Sequence, residues 1–128
     1  MIWGVPAVKY PEYKESILPF LENFASRSMG RWTVEELEAA ITEREKQVWV
    51  FGEFQMVCLT SLSRESVNIE ACAGIRRGEW QELLDDKIIE WGQALGKKRV
   101  IALVRPGWAK FGKSRGYREA HREMVRSI

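Results

Sequence analysis

The sequence of 128 residues has a single histidine, His121, and only two cysteines, Cys58 and Cys72. No CxxC pair is present, and this shortage of ligands argues strongly against a structural zinc site. A disulfide framework in a small secreted domain usually needs four cysteines or more. Both cysteines lie in apolar, strand-like segments, which predicts two buried thiols in a reducing cytoplasm.

Long apolar runs are also missing. The longest run, residues 100–104, has five residues, and runs such as 48–51 have four; all are far shorter than the ~20 residues that a membrane-spanning helix needs. The start, MIWGVPAVKY, lacks a basic segment followed by an apolar stretch and therefore predicts no signal peptide. No repeat, low-complexity tract or linker divides the sequence, so we expect a single domain over residues 1–128.

The net charge of +2 hides an imbalance along the chain. Residues 97–128 hold ten Lys or Arg against two Glu, a net charge of +8, whereas residues 1–96 hold ten cations and sixteen anions, a net charge of −6. Two interpretations stay open. Either the basic last quarter contacts an anionic partner, or it balances the acidic remainder across the surface.

Two helices are predicted in the first third. Residues 11–28 carry apolar side chains at helical spacing, although Pro19 is expected to kink or split this helix because it removes an N–H donor. Thr33 and Glu36 have the capping-box spacing that starts a second helix. The buried positions expected are Ile17, Leu18, Phe20, Leu21 and Phe24 in the first helix, and Val34, Leu37, Ala40 and Ile41 in the second.

From residue 47 the apolar period changes to two. Runs at 47–52, 54–62 and 67–73 are separated by short turns, which predicts an antiparallel meander. In the third run, strict alternation places one set of side chains on the core face and the other set on the opposite face. The first set is Val67, Ile69, Ala71 and Ala73, and the second is Asn68, Glu70, Cys72 and Gly74.

A third helix is expected from Glu79 to Leu95, ended by Gly96. Its apolar side is Trp80, Leu83, Leu84, Ile88, Trp91 and Leu95. Residues 97–105 predict a buried strand, 106–114 a short helix and 116–128 a last strand. The predicted fold is therefore α/β (α+β), a mixed and mostly antiparallel sheet flanked by helices in the order α-α-β-β-β-α-β-α-β.

This order resembles the GNAT (Gcn5-related N-acetyltransferase) fold over roughly residues 47–120. The segment AKFGKSRGYREA is similar to the family's helix–loop–strand, which ends in Gly-Phe or Gly-Tyr, here Gly116-Tyr117. The resemblance implies that the turn ACAGIRRGEW binds the pyrophosphate of acetyl-CoA through backbone N–H groups at a helix N-terminus. It implies no metal. The cofactor-binding residues that it implies are Gly74, Arg76, Arg77, Gly78 and Trp80.

Two departures from the family pattern predict a degraded acyl-CoA site. Trp80 stands where the family has glycine or alanine, so its indole either occupies the phosphate site or points away and leaves the N–H groups exposed. The alternative is that Trp80 packs in the core and the arginines are solvated. Gly112 stands where many members have a catalytic tyrosine. Glu70 is the candidate general base, or else an exposed carboxylate that pairs across the sheet.

Partners are predicted from the aromatic residues. Trp49, Trp80 and Trp91 fall on apolar stripes and are expected in the core, whereas Trp3, Trp32 and Trp108 mark a protein contact surface if they are exposed. A dimer is compatible with such a surface, and no membrane partner is expected. Nucleic-acid binding is less favoured; it would use Trp108 or Phe111 with the cations Lys97, Lys98, Arg99, Lys110, Lys113, Arg115 and Arg118.

Two functions follow from the resemblance. The preferred one is a non-catalytic binding or assembly module, because Trp80 stands on a glycine position and Gly112 on the tyrosine position. Non-enzymatic copies of the fold are known among bacteriophage virion-associated proteins, and the small size is compatible with that origin. The alternative is an acyl-CoA-dependent N-acetyltransferase with an acceptor that the sequence does not identify.

Overall fold

The computed structural model of the protein describes residues 1–103, 106–120 and 124–128. Five strands and four α-helices are formed within these ranges, and a short 3₁₀ turn, Ala7–Lys9, precedes the first helix. The strands are β1 (Ile2–Val5), β2 (Lys46–Phe51), β3 (Met56–Leu62), β4 (Ser66–Gly74) and β5 (Arg99–Ala102). The helices are α1 (Tyr10–Arg27), α2 (Val34–Thr42), α3 (Arg77–Ala94) and α4 (Pro106–Ser114).

The five strands form one sheet in chain order. The pairs β1–β2, β2–β3 and β3–β4 are antiparallel, whereas β4 and β5 are parallel and are joined through α3. A parallel pair requires such a crossover, because the chain has to return to the starting end of the sheet. The predicted mixed, mostly antiparallel sheet with flanking helices is confirmed.

Helices cover both faces of the sheet, so the core has two parts. On one face α1 and α2 pack on β1–β3, with Ile17, Leu21 and Leu37 at the centre and 0% exposed. On the other face α3 packs on β2–β4, where Trp80 and Ile88 are almost fully buried. We call these the α1/α2 face and the α3 face.

Both early helices are formed. The capping box is present, with the Thr33 hydroxyl accepting from the Glu36 N–H at 3.1 Å and the Glu36 carboxylate accepting from the Thr33 N–H at 3.0 Å. Pro19 does not split α1, which is continuous through it. Pro19 is exposed, so the carbonyl that it leaves without a donor can be hydrated, while buried residues hold both halves of the helix on the sheet.

The ends of the sheet differ from the sequence prediction. Strand β1 was not predicted, because four residues are too short to show a period. The predicted last strand is not formed by residues 116–120 or 124–128, and residues 121–123 with His121 lie outside the described ranges. One reason is local: Tyr117 is tied back to α4, since its N–H donates to the Gly112 carbonyl at 2.9 Å.

Strand β5 and helix α3 are more exposed than predicted. Strand β5 lies at the edge of the sheet, and Arg99 and Ile101 are exposed rather than buried. Leu83 and Leu95 on α3 are 48% and 46% exposed, because the helix contacts the sheet along a narrower stripe than the apolar pattern suggests. Gly96 follows α3 with φ of +73°, the left-handed conformation expected after a helix end.

No helix among the described residues has both the length and the apolar character needed to span a membrane.

Candidate functional site

Strand β4 leaves its neighbour β5 halfway along its length. Residues Ser66 to Ile69 pair with β5, and the last hydrogen bond runs from the Leu103 N–H to the Ile69 carbonyl at 3.1 Å. Residues 70–74 of β4 have no strand partner on this side within the described ranges. We call residues 70–74 the open edge of β4, because their backbone is accessible where the two parallel strands separate.

A β-bulge at Glu70 bends β4 at this point. Leu59 pairs with Ala71 and Thr60 with Ile69, so Glu70 is the extra residue on the bulged strand. A bulge bends the strand and increases its local twist. It also breaks the predicted alternation: Val67, Ile69 and Cys72 pack on the α3 face, whereas Ala71 and Ala73 pack on the α1/α2 face.

The turn after the open edge leads directly into α3. A Cβ added to Gly74 would lie 2.4 Å from the Gln55 carbonyl oxygen, so only glycine fits here without movement of the backbone. Arg76 adopts the left-handed conformation, with φ of 54° and ψ of 50°, and no side chain caps the helix. The first N–H groups of a helix have no partner inside it. The first turn of α3 therefore presents uncapped N–H groups beside the open edge of β4.

Trp80 does not cover this turn. Its side chain is 1% exposed within the α3-face core, where it packs with Leu84 and Ile88. The indole N–H donates to the Ile75 carbonyl at 2.7 Å, and its ring lies 5.7 Å from that of Trp108. Trp80 therefore packs in the core, as the alternative interpretation expected, and the indole does not occupy the helix N-terminus.

Two cations lie at the accessible turn. Arg76 and Arg77 are both exposed, and so is Gly78, where an added Cβ would have no neighbour within 4 Å. The Arg77 guanidinium lies over the Trp108 ring, 5.3 Å from its centre. Glu79 is the only acidic residue in the first turn of α3. The local charge therefore favours an anion.

Glu70 lies against the opposite face of the sheet. Its carboxylate accepts from the Lys46 ammonium at 2.6 Å, and the two side chains are only 14% and 15% exposed. The Lys46 nitrogen also lies 5.2 Å from the centre of the Trp32 ring, which packs on the α1/α2 face. Glu70 thus pairs across the sheet as one interpretation predicted, but it is largely buried rather than exposed.

Gly112 places no hydroxyl near the open edge. Gly112 instead contacts Tyr117 through its carbonyl, which accepts from the Tyr117 N–H at 2.9 Å. The Tyr117 hydroxyl donates to Asp85 at 2.7 Å, and burial together with this hydrogen bond raises its pKa. Asp85, buried on α3, also accepts from Arg115 at 2.8 Å. This hydroxyl therefore connects the segment after α4 to α3.

The two cysteines are neighbours on β3 and β4, where their Cα atoms pair directly. Both are free thiols; Cys58 is buried and Cys72 partly so. The hydrogen bond with Cys58, followed by burial, raises the pKa of the Cys72 thiol well above its ordinary value. A raised pKa lowers the thiolate fraction and therefore the nucleophilicity of a thiol, so Cys72 is not a candidate nucleophile.

The tryptophans that were candidates for a contact surface are half-buried. The Trp3 indole N–H donates to the Gly52 carbonyl at 3.0 Å, and Trp32 and Trp108 pack against the two core clusters. Trp49 and Trp80 are in the core as predicted. Sequence analysis missed Lys46 and the Trp32 ring beside it, and it also missed Asp85, which joins α3 to Tyr117 and Arg115. These contacts join residues far apart in the sequence and leave no periodic signal.

The comparisons agree on the fold. No protein-family model matches the sequence, and no curated protein matches it. Solved structures do match over 100% of the chain. The ribosomal-protein-alanine N-acetyltransferase from Brucella melitensis biovar Abortus 2308 has a TM-score of 0.72 at 11% identity, with 98% of that chain covered.

Two further structures illustrate the same likeness. Aminoglycoside N-acetyltransferase AAC(6')-Iy in complex with CoA has a TM-score of 0.67 at 12% identity, with 93% of that chain covered. The tetramutant of the BH1408 protein from Bacillus halodurans also has a TM-score of 0.67, at 17% identity and 99% coverage. A split between strands β4 and β5, an uncapped helix after the split and full-length structural similarity together show that the chain has a GNAT-like fold.

Proposed function

We propose that this protein binds an acyl-CoA, with the pyrophosphate at the N-terminus of α3, and transfers the acyl group to an amine. The observation that carries the proposal is the direction of Trp80. Its indole is buried in the α3-face core and bonded to the Ile75 carbonyl, so the uncapped turn of Arg77 and Gly78 stays accessible beside the open edge of β4.

The anion would be held by the chain in two ways. Backbone N–H groups at a helix N-terminus point at a bound anion, and the helix dipole adds about 0.3–1 kcal/mol. The exposed Arg76 and Arg77 would add charge-assisted hydrogen bonds to phosphate oxygens. Gly74 and Gly78 lack side chains that would keep the ligand away from the backbone.

The open edge of β4 would hold the arm that carries the acyl group. Peptide N–H and carbonyl groups of residues 70–74 have no β5 partner within the described ranges, so they can bind the amide groups of an extended ligand as a strand would. The likeness to an aminoglycoside acetyltransferase solved with CoA supports this arrangement by analogy.

In the proposed reaction the amine nitrogen bonds to the thioester carbonyl carbon, the carbon–sulfur bond breaks and CoA leaves as a thiolate. The Glu70 carboxylate, which forms an ion pair with Lys46, accepts the proton that the amine loses. Gly112 provides no acid, so the leaving thiolate takes its proton from water. The bulge that bends β4 at Glu70 places this residue at the start of the open edge.

A second candidate is a non-catalytic acyl-CoA-binding or assembly module, including the bacteriophage-associated kind that the resemblance suggests. Two observations favour it. Gly112 supplies no hydroxyl, and Glu70 is already paired with Lys46, so an acceptor amine has to compete with that ion pair.

One experiment separates the candidates. Acetyl-CoA is titrated calorimetrically into the purified protein, and release of free CoA thiol is then followed with a panel of primary amines. Binding with turnover supports the transferase. Binding without turnover on any amine supports the module, and absence of binding at millimolar ligand contradicts both.

A Glu70→Gln variant tests the role of the carboxylate. We expect it to lower the acetyl-transfer rate by about 10²-fold or more, the usual contribution of a general base, while acetyl-CoA binding is retained. Glu65→Gln, on an exposed turn at the far end of β4, is the matched control and should keep the wild-type rate.

A further inference from the structure

A second groove lies beside the open edge of β4, on the α1/α2 face. It has a volume of about 230 Å³ and is lined by Pro19, Phe20 and Asn23 of α1 and by Ala73 of β4. Glu70 lies three residues before Ala73, a distance of about 10 Å along a strand. The groove therefore lies within reach of a ligand whose amine is at Glu70.

The groove and the α3 turn are on opposite faces of the sheet. Ala73 packs on the α1/α2 face, whereas Trp80, which anchors the start of α3, packs on the α3 face. The open edge of β4, where the strand has no β5 neighbour within the described ranges, borders both faces of the sheet. A ligand in the groove and an anion at α3 can thus approach the same strand without overlapping.

The lining of the groove is apolar apart from one amide. The side chains of Pro19, Phe20 and Ala73 offer only carbon to a ligand, and the Asn23 side chain offers one neutral donor and acceptor group. The carboxylate nearest along β4, that of Glu70, is already neutralised by Lys46. None of the four lining residues carries a charge, so the lining offers no counter-ion to the second ammonium group of a diamine.

We propose that the acceptor of this protein is a primary amine on an aromatic or aliphatic frame, whose apolar part lies in the Pro19–Phe20–Asn23–Ala73 groove. The inference rests on the proposed acyl transfer and adds the class of acceptor to it. Burial of apolar surface in the groove contributes the affinity, and the uncharged lining gives a second ammonium group no partner.

Binding is tested first, without turnover. The probe is 2-phenylethylamine, titrated into ¹⁵N-labelled protein saturated with CoA, and putrescine is the charged comparison probe. We expect 2-phenylethylamine to shift the amide signals of Phe20, Asn23 and Ala73, and putrescine to shift them less. If 2-phenylethylamine leaves these three signals unchanged, the acceptor assignment is overturned.

Turnover gives the second test. With acetyl-CoA we expect kcat/KM for 2-phenylethylamine to exceed that for putrescine by about tenfold or more, the range that a small change in apolar fit can give. Phe20→Ala should remove most of this preference. Val8→Ala, an exposed position in a different groove, is the control and should preserve it.

A surface variant covers the case in which Phe20→Ala fails to fold. Asn23→Asp places a carboxylate in the groove and should shift the preference at least about threefold towards putrescine through charge attraction. Acetyl-CoA turnover that favours putrescine in the wild type, or no shift in Asn23→Asp, overturns the acceptor class alone. Failure of acetyl-CoA to bind overturns the proposed function, and the acceptor assignment with it.

Discussion

At the scale of single residues, the meaning of Trp80 depends on a direction that sequence does not specify. A tryptophan at the second small position of an anion-binding turn suggests obstruction. The α-helix, however, points this side chain back towards the sheet, where the indole N–H finds the Ile75 carbonyl at 2.7 Å. The residue that suggested a degraded site thus holds the turn in place from the core, through its hydrogen bond to Ile75.

The first prediction concerns this anchor. Trp80→Phe should lower the free energy of unfolding by about 1–3 kcal/mol, because the Ile75 carbonyl loses its donor and the core loses volume. Urea denaturation measures the change, and Leu83→Ala, at a position 48% exposed on the same helix, should cost less. A variant with Trp80 replaced by Ala that binds CoA more tightly than the wild type would show that the indole obstructs the site.

A second prediction uses two glycines of the same turn as a matched pair. Gly74→Ala should destabilise the fold by about 1–3 kcal/mol, because its Cβ would lie 2.4 Å from a backbone oxygen. Gly78→Ala should be neutral or stabilising by up to about 1 kcal/mol, since the added Cβ meets nothing within 4 Å and alanine favours a helix. Thermal unfolding compares the two. Equal effects would contradict the geometry of the turn.

At the scale of elements, periodicity was sufficient for the long segments. The order from α1 to α4, the capping box of α2 and the meander all followed from sequence, because each rests on local spacing. Periodicity failed where tertiary contacts decide. The four residues of β1 gain their conformation by pairing with β2, and the bulge at Glu70 arises where β4 bends away from β5.

Sequence also predicted one part of the candidate site and missed another. The turn Gly74–Gly78 and its two arginines are contiguous, so sequence alone identified them as a candidate anion site. The partner of Glu70 was not predictable, because Lys46 is 24 residues away and meets it across the sheet. The register of three strands had to be known before that contact could be inferred.

The third prediction concerns the loop after α4, which Tyr117 attaches to Asp85 on α3. Burial, followed by the hydrogen bond to Asp85, raises the pKa of Tyr117 above its ordinary value of about 10. The folded chain then keeps a proton that the unfolded chain releases, so the free energy of unfolding should fall as pH rises above about 10. Below that pH the contribution is fully present.

Tyr117→Phe isolates this effect. The variant should lose stability at neutral pH and show a shallower fall above pH 10, because one of the groups that cause the fall is gone. Tyr10, whose pKa is raised by burial and by its bond to Glu38, remains as an internal comparison. Urea denaturation at several pH values measures both slopes, and identical slopes in wild type and variant would contradict the prediction.

At the scale of the whole molecule, part of the basic last quarter is occupied by internal contacts. Lys98 and Arg99 pair with Glu65, and Arg115 pairs with Asp85 and Asp86. These pairs link the last quarter to the acidic remainder, as one interpretation of the charge imbalance expected. Arg76 and Arg77 have no ion pair among the described residues, and both are exposed at the turn before α3.

The fourth prediction follows from the difference between the ion-paired cations of the last quarter and the arginines at the turn before α3. Arg77→Gln should weaken CoA binding by about tenfold and reduce its dependence on salt, because one charge-assisted contact with phosphate is lost. Arg64→Gln, at an exposed position before β4, is the matched control and should bind CoA as the wild type does. Calorimetric titrations at low and high salt measure both properties. Equal affinities for Arg77→Gln and Arg64→Gln would place the phosphate elsewhere.

The most direct measurement compares two ligands that differ by the nucleotide diphosphate. CoA and pantetheine are titrated separately into ¹⁵N-labelled protein, and affinities and amide shifts are recorded together. We expect CoA to bind at least about a hundredfold more tightly, since several N–H and guanidinium contacts are added at once, and only CoA to shift the Arg77 and Gly78 amides. Equal affinities, with the α3 turn unchanged by CoA, would contradict the assignment of an anion site at the start of α3.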